Sequence, residues 1–118
     1  MEQDTTVSRV EDFPWGQMAW LMDDAAAESA GFSTARMTVL AGRTAGPHRH
    51  PNATEFLLVE KGDLTLRLTD ETVPLAKGDT YLIPVASPHE IIAGPEGAQL
   101  TIFYNTPRRG YEAATIGS

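Results

Sequence analysis

Leu64-Thr65-Leu66-Arg67-Leu68-Thr69 sets a leucine at every second position and a polar residue between. Only an extended chain repeats every two residues, so this run reads as a strand with one buried face and one wet face. Working outward, similar short segments lie at 33–40, 55–60, 72–75, 80–84, 89–93 and 100–104. Between several of them stand Lys61-Gly62-Asp63, Thr69-Asp70-Glu71, Lys77-Gly78-Asp79 and Gly94-Pro95-Glu96-Gly97, all of turn-forming composition. Their spacing of 8 to 16 residues leaves no space for crossover helices. The expectation is therefore an all-β, antiparallel sandwich or barrel. The only helix-like stretch is 23–30, with an aspartate at its start, a run of three alanines and Gly31 as its stop. It is short enough to be merely a loop.

A chain of 118 residues, 42% hydrophobic, has room for one core and no second domain. The reading divides it into an acidic lead-in with an extra strand or short helix (1–31), a barrel (32–107) and a C-terminal tail (108–118). There is no cysteine. That excludes disulfide scaffolds, thiol nucleophiles, iron–sulfur clusters and thiolate zinc sites, and it fits a reducing compartment. Nine Lys and Arg against 16 Asp and Glu give a formal charge of −7, without the basic footprint that nucleic acid demands. Seven of the acids (Glu2, Asp4, Glu11, Asp12, Asp23, Asp24 and Glu28) fall within the first 30 residues, against one base, Arg9. They read as a solvated face. The N-terminus is acidic where a secretory signal is basic, and the apolar runs at 56–59 and 81–86 fall far short of the roughly 20 residues that span a bilayer. A cytoplasmic protein with no membrane or nucleic-acid partner is expected.

The histidines carry the chemistry. His48 and His50 lie two apart, Glu55 follows five residues later, and His89 stands at the end of a later segment. In an extended chain residues i and i+2 share a face, so both imidazoles can aim at one point while Arg49 aims away. A carboxylate at Glu55 and an imidazole from a separate strand would complete three nitrogens and one oxygen inside a closed sheet. Such a sulfur-free set suits one divalent transition metal: Fe, Mn, Ni, Cu or Zn. Pro47 and Pro51 flank the first donors, and Pro84 and Pro88 precede His89. Proline fixes φ and ends ladder pairing, which locates the donors at strand ends.

These residues resemble the cupin family. Its first motif, G-x5-H-x-H-x4-E-x6-G, is met by Gly42, His48, His50, Glu55 and Gly62. Its second, G-x5-P-x-G-x2-H-x3-N, is met at Gly78, Pro84 and His89, with Ala86 in place of the usual Gly and Ala93 in place of the usual Asn. The resemblance covers about residues 32–107. It implies a double-stranded β-helix (jelly-roll) barrel, often a homodimer, with a metal near one mouth. By that correspondence His48, His50, Glu55 and His89 are the metal ligands. Glu55 is alternatively the candidate catalytic base, hydrogen-bonded to metal-bound water instead of ligating the metal, and the sequence leaves open which.

Met37, Leu57, Tyr81, Ile91 and Phe103 are the candidate substrate-lining residues. Phe103 and Tyr104 alternate along one strand, so one of them faces the interior, and the sequence leaves open which. Trp15 and Trp20 read as covers of a core edge or a dimer contact. Pro107-Arg108-Arg109-Gly110-Tyr111 reads as a solvated terminal segment, although its arginines are of the type that grips a carboxylate bidentately. Arg36 and Arg67 read as outward and solvated. No phosphate loop and no G-x-S-x-G elbow is present, which disfavours nucleotide-dependent and serine-hydrolase chemistry. The expected function is that of a small metal-dependent enzyme acting on a small oxygen-rich organic molecule by O2-dependent oxidation, like the dioxygenases it resembles. The alternatives are Lewis-acid isomerase, lyase or decarboxylase chemistry, a non-catalytic barrel that binds a small molecule, and a purely structural dimer.

Overall fold

In a computed structural model, which describes residues 7–116, the chain forms β1 (Arg9–Phe13), β2 (Gly16–Trp20), α1 (Asp24–Ala30), β3 (Ser33–Val39), β4 (Thr44–Arg49), β5 (Glu55–Leu68), β6 (Thr72–Ala76), β7 (Thr80–Ile83), β8 (His89–Tyr104) and β9 (Glu112–Ala113). Glu2 and Asp4 of the acidic lead-in lie outside the described residues. Two long strands organise the rest. β5 and β8 pair antiparallel along their whole lengths, from Glu55 opposite Tyr104 to Leu68 opposite His89. Each changes its outer neighbour halfway along. The second half of β8 pairs with β3 and its first half with β4, while β5 pairs with β7 and then with β6. β1 and β2 extend the sheet beyond β3, and β9 adds to the edge of β4. Switching neighbours along one strand curls the antiparallel sheet into the double-stranded β-helix that the family resemblance implies.

The leucine run occupies the second half of β5, with Leu64, Leu66 and Leu68 buried as the alternation demands. In the first half the buried positions are Glu55, Leu57 and Val59, so the inward parity flips from odd to even between 59 and 64. β8 flips likewise, from Ile91 and Ala93 to Ala98, Leu100, Ile102 and Tyr104. The flip is made by β-bulges on either side of Gly62. Gly62 takes a left-handed φ of 74°, and a Cβ on it would collide with the Gly97 carbonyl. Lys61-Gly62-Asp63 and Gly94-Pro95-Glu96-Gly97, expected to be turns, are therefore bends within continuous strands. Lys61 still pairs across to Gln99, and Gly62 to Ala98. Local composition marks a departure from ideal backbone but does not distinguish a reversal from a bulge.

The other two turn sequences do reverse the chain. The Leu68 N–H donates to the Glu71 carbonyl at 2.8 Å, and the Asp79 N–H to that of Ala76 at 2.8 Å. The short alanine stretch is a helix. Asp23 accepts from the Ala26 N–H at 2.7 Å, and Gly31, at φ 83°, closes the other end with its N–H on the Ala27 carbonyl. The acidic lead-in is also more engaged than a solvated face. Glu11 accepts from the Trp20 indole at 2.7 Å, and Asp24 and Glu28 pair with Arg108 of the tail at 3.5 and 3.3 Å. Leu57, Leu66, Ile83, Ile91, Leu100 and Ile102 make the centre of the core. Among the described residues no helix is long and apolar enough to cross a membrane.

Gly62→Ala combines a left-handed backbone with a backbone collision. It is expected to lower the unfolding free energy by roughly 3 kcal/mol or more, read as a drop in the denaturant midpoint. A midpoint like that of the wild type would mean that the bulge is not the pivot on which the two strands turn.

Candidate metal centre

The four candidate ligands come from strand ends that meet at one mouth. In β4, His48 is buried and Arg49 exposed, and His50 just beyond the strand is buried again. Arg49 turns outward to pair with Glu112 of β9 at 2.7 Å. The ladder between β4 and β8 is interrupted between Ala45 and His48, around Pro47, which has no N–H to donate. His89 opens β8 directly opposite His48, and Glu55 opens β5 opposite Tyr104. All four side chains are buried, and one donor atom from each lies within 4.8 Å of the others.

The orientation of the rings is fixed from behind. Nδ1 of His48 contacts the Gly46 carbonyl at 2.8 Å, Nδ1 of His50 the Gly110 carbonyl at 2.8 Å, and Nδ1 of His89 the Ser87 carbonyl at 2.9 Å. A carbonyl oxygen can only accept, so in each ring Nδ1 carries the proton and Nε2 keeps a bare lone pair. Those lone pairs point inward. Nε2 of His50 lies 3.0 Å and Nε2 of His89 3.3 Å from Oε1 of Glu55. These three buried atoms have no hydrogen-bond partner, being acceptors set against an acceptor. A positive charge among them resolves the repulsion, either a proton taken up at Nε2 or a metal ion, and imidazole nitrogens with a carboxylate oxygen fit a divalent transition metal.

The electrostatics follow from this packing. Burial, then the neighbouring His89, lowers the His48 pKa to about 4. Burial works to lower that of His89 too, but the hydrogen bond and charge of Glu55 outweigh it and raise the ring above its ordinary value. For Glu55 burial opposes the charge. The hydrogen bonds and charges of His50 and His89 prevail and hold the carboxyl well below the usual range. Burial, then the Glu55 charge, raises the Tyr104 phenol, which stays a neutral O–H.

The cavity at the ligands is lined by His48, His50, Glu55, Met37 and Ile91 together with Phe13, Trp15, Met18, Tyr104, Arg109 and Tyr111. Of the five expected substrate-lining residues, it thus takes Met37 and Ile91. Leu57 is fully buried in the core and does not border it. Tyr81 lies on β7 with its hydroxyl on Glu71 at 2.6 Å. Phe103 is 38% exposed and packs on Phe32, because after the parity flip the inward residue of that pair is Tyr104. The tail corrects a further expectation. Arg109 and Tyr111 line the cavity, Tyr111 from its exposed mouth, with its ring stacked on that of His48 at 4.8 Å. The sign in the sequence is an opposite-charge pairing, Arg49 with Glu112, that docks the tail on β4, but only the fold shows that those residues meet. Wider grooves elsewhere, such as one lined by Thr38, Lys61, Gly62 and Gln99, hold none of the four candidate ligands.

Comparison with known proteins agrees with this geometry. A family model described as a cupin domain matches residues 35–104. Comparison with curated proteins finds no match. Among solved structures, the chain is similar to an oxalate oxidase in complex with the substrate analogue glycolate, at 24% identity and a TM-score of 0.79, over 93% of this chain and 62% of that one. It is similar to a recombinant oxalate oxidase with glycolate at 25% identity and 0.77, over 94% and 62%. A formate complex of the Lactobacillus farciminis oxalate decarboxylase follows at 20% and 0.79, over 89% and 33%. The chain thus spans about three fifths of the oxidase chains and a third of the decarboxylase.

Ala86, at the motif position usually held by glycine, has a positive φ of 62°, and its N–H donates to the His50 carbonyl at 3.0 Å. The turn keeps the shape that glycine serves, at a cost to alanine of about 1–2 kcal/mol. Part of this would be offset in Ala86→Gly by the greater unfolded-state freedom of glycine. The substitution is expected to stabilise the protein by about 0.5–1 kcal/mol, seen as a Tm a few degrees higher with unchanged metal content. A lower Tm would show that the turn is not strained.

Proposed function

The chain belongs to the cupin domain family, and from that membership we propose that it is a small metal-dependent oxidoreductase acting on a small oxygen-rich organic molecule. The observation that carries the reading is the inward convergence of three imidazole nitrogens on a buried carboxylate. His48, His50, Glu55 and His89 hold one divalent transition metal. Such a metal supplies Lewis acidity and, where its oxidation state changes, redox chemistry toward O2. Oxidation is favoured over Lewis-acid chemistry by the likeness to an oxalate oxidase at 25% identity.

The protein's own groups divide the remaining work. The Gly46, Gly110 and Ser87 carbonyls hold the neutral rings in the tautomer that leaves Nε2 as the ligating atom. Glu55, ionised and buried, supplies the negative charge of the cluster through Oε1. Met37, Ile91, Trp15 and Tyr104 exclude water from the occupant. The assembly is a homodimer, supported by a row of exposed apolar side chains on the outer face: Phe103 opposite Phe56, and Phe56 opposite Leu82. A cytoplasmic location accords with the absence of cysteine.

Metal analysis followed by oxygen uptake over a panel of small organic acids and polyols tests the reading. Oxygen consumption with bound metal is the expected result. Metal without oxygen consumption, but with turnover, points to the lyase or isomerase class, and metal without any turnover to a binding module. His48→Ala, His50→Ala and His89→Ala should each lose stoichiometric metal, a larger effect than the roughly 10–100-fold cost of removing an outer partner. Full metal content in any two of them would remove the assignment.

Metal affinity should also fall on acidification, in two stages. A raised pKa means that His89 already holds a proton at and somewhat above pH 6.5, so the metal competes with that proton first, at about tenfold per pH unit. His48, lowered to about 4, adds a second proton only near that pH. Chelator competition from pH 8 to 4 reads the slope, and a flat profile would contradict histidine ligation.

A further inference from the structure

Two successive arginines in the tail have opposite surroundings. Arg108 is exposed and paired with Asp24 and Glu28 of α1. Arg109 turns into the cavity that His48, His50 and Glu55 line, and no carboxylate pairs with it among the described residues. Its guanidinium carbon lies 5.1 Å from the Trp20 ring centroid, 5.7 Å from that of Tyr104 and 5.6 Å from that of Tyr111. The fork also meets the Tyr104 hydroxyl, but its Nε is buried without a hydrogen-bond partner. The backbone on either side is clamped from the ligand loop. Asn52 donates from Nδ2 to the Arg108 carbonyl at 2.9 Å and accepts at Oδ1 from the Gly110 N–H.

A planar cation held by three aromatic rings, with an unmatched donor edge beside a metal site, is arranged to receive an anion. The charge sum agrees. Three neutral imidazoles, the Glu55 carboxylate, a divalent cation and Arg109 leave an excess of positive charge that an anionic occupant neutralises. Shape narrows the class. The guanidinium is planar and its fork matches the two oxygens of a flat carboxylate edge to edge, in a narrow cavity walled by Trp15, Tyr104 and Tyr111. Anything longer passes Tyr111, which at 57% exposed is the ring at the mouth.

We propose that Arg109 is the specificity-determining residue of this site and binds the carboxylate of a small organic acid. The inference rests on the reading of the cavity as a metal site. It is tested on the metal-reconstituted full chain with acetate, its neutral isostere acetamide and inorganic phosphate as probes, by calorimetry and by the fluorescence of Trp20 and Trp15. The wild type is expected to bind acetate at least about tenfold more tightly than acetamide or phosphate, the range of charge-assisted hydrogen bonds. Arg109→Gln should lose that preference while keeping full metal content and unchanged acetamide affinity, a pattern that mere loss of packing does not produce. Equal acetate affinity in wild type and variant, with metal intact in both, overturns the assignment and leaves the metal reading standing. A wild type that takes up no metal overturns that reading and this one with it. If Arg109→Gln does not fold, Arg109→Lys decides, because it keeps the charge and loses the fork. A several-fold loss for acetate alone supports the proposal, and unchanged acetate binding overturns it. Phosphate bound as tightly as acetate overturns the carboxylate class.

Discussion

Lone pairs on imidazole nitrogens and a carboxylate oxygen, brought together out of water, repel one another unless a positive charge stands among them. The protein builds that situation deliberately, tethering Nδ1 of each ring to a backbone carbonyl so that none of the rings can turn its proton inward. Without a metal the cluster draws a proton onto His89, whose pKa the hydrogen bond and charge of Glu55 raise against burial. A bound metal displaces that proton, and because binding favours only the folded state, part of the stability of the barrel is linked to its metal.

The frame that makes this affordable is the β5–β8 pair. Hydrogen-bonded along their whole lengths, the two strands fix Glu55 at one end of the ladder opposite Tyr104 and His89 at the other end opposite Leu68. Those ends come to the same mouth only because both strands bend at the bulges around Gly62 and Gly97. The metal site and the bulge, far apart along β5, are therefore parts of one geometric requirement. The glycine of the first motif that lies furthest from any ligand sets the curvature that lets the ligands meet.

Much of this was legible in the sequence. A two-residue spacing in an extended segment places His48 and His50 on one face whatever the fold, and motif glycines and prolines put the donors at strand ends. Strand parity was legible only within unbroken runs. The alternation of 64–69 gives its own face correctly, but a bulge resets the phase, and without its position Phe103 could not be separated from Tyr104. The cavity lining contributed by the tail was hidden for a different reason. Arg109 and Tyr111 are polar and follow a proline, which locally resembles a solvated end. Their place at the cavity depends on contacts across some sixty residues, with Asn52 and Arg49, that no local pattern encodes.

The tail is better described as part of the site than as an appendage to the barrel. His50 is tied on one side to the turn before His89, through the Ala86 N–H on its carbonyl, and on the other to the tail, through its own Nδ1–H on Gly110. The same few residues that orient this ring also bring Tyr111 over His48 and Arg109 beside the open edge of the cavity. A barrel stripped of residues 105–116 would keep the β5–β8 ladder and the four side chains. It would lose the acceptor that holds one ring in its metal-binding tautomer, the ring at the mouth and the cation in the wall. Affinity for the metal and selectivity for its occupant are in this way coupled through the docked tail, which β9 holds on β4 by its pairing with His48 and Arg49, by the Ala114 N–H on the Pro47 carbonyl and by the exposed pair of Arg49 and Glu112. An exposed pair is a weak restraint. Loosening of the tail would open the site to exchange while leaving the core intact.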